Sequence, residues 1–207
     1  MYTLSYYTEQ DEQKVIAFIK ANAFALITGM GEHYPVATQI PLTVEIKDGK
    51  FFLQGHIMRK TDHHLAFEKN NNVLVLFTGP HCYVSANWYT NPAMGSTWNY
   101  MTVQAKGKIY FTDEAGTYNA VKAVSDQYTG TAGAAAFDNL SKEYIDQMMK
   151  AITGFTIEVE SITNTFKLSQ NRDAASQKNI IAQLKLRGDH NSLMIAEEME
   201  LRLSPTP

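Results

Sequence analysis

Residues Val36 to His56 read VATQIPLTVEIKDGKFFLQGH, two runs of strand-forming residues joined by Asp48-Gly49. Asp-Gly supplies two residues that tolerate positive φ, which a two-residue hairpin turn requires. The pattern predicts a strand over Val36–Ile46 and a returning strand over Lys50–His56. A hairpin at this point argues against alternating βαβ units. It favours an antiparallel barrel with helices attached.

Working outward, Glu9–Asn22 carries Val15, Ile16, Phe18 and Ile19 at helical spacing, with Thr8 as the expected cap. Phe24–Thr28 is a short apolar run, and Gly29-Met30-Gly31 is expected to turn. On the other side, Ile57 to Asp62 leads into a helix holding His64, Leu65, Ala66 and Phe67, which Asn70-Asn71-Asn72 ends. Further strands are expected over Val73–Phe77, Met101–Phe111 and Ile152–Glu160, where apolar residues alternate. Helices are expected from Thr112-Asp113 to about Tyr128 and over Ser141–Lys150. A last helical region, about 170–207, is broken by Gly188. With no internal repeat and no linker, residues 1–207 read as a single barrel-based α+β domain with a C-terminal helical extension.

At 207 residues the chain can bury about 70% of its unfolded surface and needs neither disulfide nor structural metal to fold. Its single cysteine, Cys82, excludes an internal disulfide framework and fits a reducing cytoplasm. Met1-Tyr2-Thr3-Leu4 shows no leader pattern, and no apolar run is long enough to span a bilayer, so a cytoplasmic location without membrane contact is expected. A net charge of −3 with scattered Lys and Arg gives no electrostatic footprint for nucleic acid.

Three constellations could carry chemistry. The first is Gly79–Tyr100, GPHCYVSANWYTNPAMGSTWNY, which holds both tryptophans and the cysteine. Its rings could cover a flat ligand while Ser85, Asn87, Thr97 and Asn99 satisfy the ligand's rim; the alternative is a strand-loop-strand segment whose aromatics are core. The second is Arg59-Lys60-Thr61, directly after a strand and at a helix start, where free N–H groups and two cations suit a phosphate. The alternative there is a solvated basic corner. The third is the group His56, His63, His64 and His81. Their spacing completes no zinc set, so no metal site is assigned, and His56 and His81 read better as hydrogen-bonding residues of a pocket. Cys82, inside an apolar-aromatic strand, reads as a buried, inert thiol. No glycine-rich dinucleotide or phosphate loop occurs.

The elements GPHCYVSANWY and TWNY (Thr97–Tyr100) resemble the paired signature of the PaiB-like family of FMN-binding negative transcriptional regulators. Gly55-His56-Ile57-Met58-Arg59, Ala66-Phe67-Glu68 and Lys167-Leu168-Ser169-Gln170-Asn171-Arg172 resemble its other landmarks in the same order. The chain departs from the pattern at Ala86-Asn87, Gly95-Ser96 and Gln104. The resemblance implies an FMN-binding split β-barrel, pyridoxamine-phosphate-oxidase-like, with peripheral and C-terminal helices. It also implies a homodimer with flavin at the interface and a role in negative transcriptional control. Taken with the reading of the residues, it makes Arg59, Lys60 and Thr61 the candidates for the phosphate, and His56, Ser85, Asn87, Trp88, Thr97, Trp98, Asn99, Tyr100, Gln104, Lys167 and Gln170 the candidates around the rest of the FMN.

Three functions compete on this reading. The leading one is a flavin-dependent regulator that reaches its genes through DNA or a regulatory protein partner. The second is an FMN-dependent oxidoreductase acting on a nicotinamide or a small substrate. The third, for which only the histidines argue, is a haem-handling protein on the same barrel.

Overall fold

The computed structural model describes residues 4–203. Met1, Tyr2 and Thr3 of the stretch read for a leader, and residues 204–207 of the helical extension, lie outside the described residues. Among the described residues no helix is long and apolar enough to cross a membrane.

Seven strands form one sheet in the order β2-β1-β5-β6-β7-β4-β3. They are β1 (Phe24–Met30), β2 (Pro35–Pro41), β3 (Thr43–Lys47), β4 (Lys50–Met58), β5 (Asn72–Val84), β6 (Thr97–Phe111) and β7 (Ile152–Lys167). The helices are α1 (Glu12–Ala21), α2 (Asp62–Lys69), α3 (Glu114–Thr129), α4 (Lys142–Ala151), α5 (Ala174–Arg187) and α6 (His190–Leu203). The chain groups into two compact units. The first comprises residues 4–18, 78–103 and 163–203, and the second Ile19–Phe77 and Gln104–Ile162.

The second unit holds the hairpin. Asp48 (φ 51°) and Gly49 (φ 73°) both take positive φ, the primed turn that joins β3 to β4 in the register Thr43↔Gln54 through Lys47↔Lys50. β4 pairs antiparallel with β7, His56 opposite Gly154. Leu53, Phe155 and Ile157 are wholly buried on these strands, and Ile27 and Val75 on β1 and β5. Burying each such side chain stabilises the fold by about 1.5–3 kcal/mol. The strands pack closely at Gly107, where a Cβ would lie 2.2 Å from the Glu158 carbonyl oxygen.

The opposite face of this part of the sheet is apolar yet open. Phe24, Leu26, Thr28 and Met30 of β1 stand opposite Pro41, Gln39, Ala37 and Pro35 of β2, and Leu76 and Leu74 of β5 stand opposite Leu26 and Thr28. Phe24 is 61% exposed and Met30 62%. None of these positions carries a charge.

In the first unit α5 and α6 pack side by side, and Ile180, Leu184, Ile195 and Ala196 are wholly buried. Asp173 caps α5 by accepting the Ser176 N–H at 2.9 Å, and Gly188 (φ 73°) ends that helix in the left-handed region. Arg202 of α6 pairs with Glu198 and, at 3.2 Å, with Glu9, and lies 5.6 Å from the Phe166 ring centroid.

Three expectations change. The first helix begins at Glu12 rather than Glu9, because Asn164 holds Glu9 in a non-helical conformation. Its Oδ1 accepts the Glu9 N–H at 2.8 Å, and its amide donates to the Glu9 carbonyl. Asp11, not Thr8, then caps the helix by accepting the Gln13 N–H. The single strand expected over Val36–Ile46 is two strands, broken at Leu42, whose N–H bonds the Ala23 carbonyl while its side chain is buried. Gly29 and Met30 continue β1 rather than turning. The space for this comes from Gly29 having no Cβ, which would lie 2.6 Å from the Phe67 ring.

Candidate functional site

In the second unit, β4 delivers His56 and the bend to α2 delivers Arg59, Lys60 and Thr61. His56 Nδ1 is buried and has no hydrogen-bond partner among the described residues. Burial also lowers the pKa of this imidazole, favouring the neutral ring. Arg59 and Lys60 are exposed, and Lys60 sits at φ 64°, a strained conformation for a residue with a side chain. The Arg59 N–H donates to the Ala151 carbonyl, which fixes the bend. The acid-base contacts at this corner, His63–Asp62 and His64–Glu68, involve neither cation.

Thr61 acts differently from the expectation. Its hydroxyl donates to the Met58 carbonyl at 3.0 Å and accepts the His64 N–H, so it is the helix cap and its proton is engaged. A phosphate at this corner would therefore rest on Arg59 and Lys60. His63 bonds Thr61 and Asp62 within the corner. Gln104, also in this unit, is half-buried on β6.

In the first unit the aromatic-amide stretch divides into three environments. Ser85 caps a short 3-10 turn by accepting the Asn87 N–H, and Asn87 itself is exposed. Trp88 lies under a cation, with the Arg187 guanidinium 4.9 Å from its ring centroid, while its carbonyl accepts from Asn179. Trp98, 54% exposed, meets Tyr83 edge-on at 6.0 Å and His81 at 6.2 Å. His81, expected in a pocket, is itself exposed. Cys82 is buried as expected; burial pushes its thiol up to about 11, with Arg187 opposing and Asp189 adding.

The third environment is a cavity of about 290 Å³ lined by Tyr7, Gly95, Ser96, Thr97, Lys167, Ser169, Asn171 and Arg172. Lys167 Nζ donates to Thr97 Oγ1 at 2.5 Å. Burial, and secondarily the Arg172 charge, lower the Lys167 pKa. Asn99, expected at a ligand rim, is wholly buried: its Oδ1 accepts the Ser169 hydroxyl at 2.9 Å and its amide points to Met199 Sδ. Gln170 braces the turn, accepting from Leu168 N–H and donating to the Phe166 carbonyl. Tyr100 is half-buried.

The sequence reading thus brings together His56, Arg59, Lys60 and Thr61 in one unit and Thr97 with Lys167 in the other. It missed Arg172, Ser96, Ser169 and Tyr7. Only Arg172 had a legible signal, as a second cation five residues after Lys167.

Residues 1–161 match the family model described as "Putative FMN-binding domain". A Bacillus subtilis (strain 168) protein named protease synthase and sporulation protein PAI 2 is 31% identical over 204 residues, 98% of each chain. An uncharacterized Aspergillus fumigatus protein is 26% identical over 255 residues, covering 98% of this chain and 97% of that one. Among solved structures, the FAD- and haem-binding protein from Mycobacterium smegmatis superposes with a TM-score of 0.62 at 14% identity, over 85% of this chain and 80% of that chain. A conserved hypothetical protein from Mycobacterium tuberculosis gives 0.58 at 14% identity, over 83% and 92%. At such identities these structures show the fold alone, an antiparallel split β-barrel with added helices. His56 Nδ1, buried without a partner among the described residues, and the exposed cations Arg59 and Lys60 are groups whose chemistry fits the polar rim and the phosphate of FMN. The chain belongs to the PaiB-like FMN-binding domain family, and its cofactor is FMN.

Proposed function

We propose that this protein is a cytoplasmic flavin-dependent regulator of the PaiB type, acting as a homodimer with FMN at the interface. The observation that carries the cofactor assignment to residues is the His56–Arg59–Lys60 corner. Arg59 and Lys60 would hold the phosphate, and His56 Nδ1 would hydrogen-bond the ligand. FMN supplies the redox centre when bound.

The open apolar face of β1, β2 and β5 supports self-association. A surface with Phe24, Leu26, Met30, Leu74 and Leu76 and no charged position favours burial against a second copy over exposure to water. Continuity of β5, β6 and β7 through both units supports reading the chain as one domain. The Bacillus subtilis relative carries protease synthase and sporulation in its name, and the regulatory role proposed for this chain rests on the family resemblance. The acidic balance favours control through a protein partner over a broad electrostatic grip on DNA.

The test is the purified protein itself, which should be a yellow dimer releasing one flavin per subunit on denaturation. Arg59→Ala should weaken FMN about 10- to 100-fold, the loss of one charge-assisted hydrogen bond. Unchanged FMN affinity would remove Arg59 from the site. Steady turnover of reduced nicotinamide would replace the regulator with an oxidoreductase.

A further inference from the structure

The cavity of the first unit has a chemistry that the flavin phosphate corner does not account for. Two cations, Lys167 and Arg172, line it together with the hydroxyls of Ser96, Thr97, Ser169 and Tyr7 and the Asn171 amide, and no carboxylate is among the lining residues. The acid nearest in sequence is turned away. Asp173 accepts from Ser176 and Thr90 at the start of α5, and these bonds hold its pKa down at about 2. Among the described residues Arg172 makes no ion pair. Its guanidinium lies 4.4 Å from the Tyr89 ring centroid and donates to Met94 Sδ.

The walls are built before any ligand arrives. Ser169 holds φ 63°, and its hydroxyl is fixed on the buried Asn99. The Arg172 N–H returns to the Ser169 carbonyl, and Gln177 donates to the Arg172 carbonyl. Ser96 is positioned by accepting the Ala86 N–H. A strained, non-glycine residue held by a buried hydrogen bond beside two like charges is an arrangement that a bound anion would repay. Preorganisation of this kind reduces the ordering cost of binding.

We propose that this cavity binds a small oxyanion, the carboxylate or phosphate group of a compact metabolite, as a site separate from the flavin phosphate. Arg172 would grip two oxygens side by side, Lys167 would supply the second charge, and the Ser96 and Thr97 hydroxyls, which accept from Ala86 and Lys167, would donate their protons to the remaining oxygens. The size, about 290 Å³, suits a small molecule and not a second flavin. The separateness rests on the reading that Arg59 and Lys60 hold the flavin phosphate, and it gives to the anion Thr97 and Lys167, which the family resemblance set around the FMN. Such a site gives a flavin-dependent regulator a second chemical input.

The test uses the full-length, FMN-loaded protein and follows its thermal midpoint during titration with inorganic phosphate or malonate, against sodium chloride at matched ionic strength. A saturable rise with either anion is expected, and which of the two acts identifies phosphate or carboxylate as the group recognised. Arg172→Gln should weaken it at least tenfold. Gly95→Val serves as a second variant, since a Cβ at Gly95 meets nothing within 4 Å and the fold should be kept while the cavity is narrowed. Arg59→Ala, tested without flavin, should keep the anion response.

No saturable rise above sodium chloride overturns the proposal. So does a rise that neither Arg172→Gln nor Gly95→Val reduces. If Arg172→Gln weakens FMN as strongly as Arg59→Ala does, the cavity belongs to the cofactor and the separate site is refuted. If Arg59→Ala leaves FMN affinity unchanged, the phosphate assignment fails independently of the anion result.

Discussion

Ser169 offers a sharp test of how the cavity wall is held. Ser169→Ala deletes the hydroxyl that donates to Asn99 Oδ1 at 2.9 Å, and both residues are buried, so water cannot replace the lost donor. Leaving a buried carbonyl unsatisfied costs about 1–3 kcal/mol. Ser169→Gly loses the same bond but also removes the side chain from a φ of 63°. Relief of the left-handed conformation returns about 1–2 kcal/mol, and the greater unfolded-state freedom of glycine takes back about 0.5–1. Glycine should therefore be the more stable variant by about 0.5–1 kcal/mol. In urea, with a slope of about 2 kcal/mol per molar, alanine should lower the midpoint by about 1 M and glycine by visibly less. An alanine variant with an unchanged midpoint, or a glycine variant no better than alanine, would refute the account of a strained residue held by Asn99.

Three further outcomes follow from the same geometry. Gly107→Ala should destabilise by about 1–3 kcal/mol in thermal or urea unfolding, because its Cβ would meet the Glu158 carbonyl at 2.2 Å and a strand backbone cannot yield. Cys82, with its thiol raised to about 11, should react with a thiol reagent at pH 8 only when the protein is unfolded; rapid labelling of native protein would contradict its burial. Asp173 has a folded pKa depressed to about 2, so its contribution is present above the unfolded value near 4 and lost as pH falls toward 2. Asp173→Asn should accordingly be less stable than the parent at pH 7, with the gap closing between about pH 4 and pH 2 in acid-unfolding curves.

Much of the fold was legible where a local rule decides the structure. Asp48-Gly49 makes the primed turn because both residues must take positive φ, and Gly188 ends α5 for the same reason. Asp113 and Ser141 stand at helix starts because their side chains accept the first free N–H groups. What local reading misplaced was set from far along the chain. Asn164 grips Glu9 across 155 residues and delays the first helix, and Ala23 captures Leu42 and breaks the expected strand. The candidate site divides the same way. Adjacent cations at Arg59 and Lys60 are visible in sequence because they are neighbours directly before an expected helix start. The engagement of Thr61 as a cap, and of Asn99 as a buried support, depends on partners that spacing cannot supply.

Asn99, which holds the cavity residue Ser169, also bonds Met199 of α6, and α6 is tied back to Glu9 through Arg202. The matched family segment stops at residue 161, whereas Lys167, Ser169 and Arg172 follow it and Met199 lies later still. The cavity therefore draws Tyr7, Ser96 and Thr97 from the matched segment and Lys167, Ser169 and Arg172 from the chain that follows it. A change in the tail that loosened α6 would thus reach Ser169 through Met199 and Asn99 without altering any residue of the matched segment.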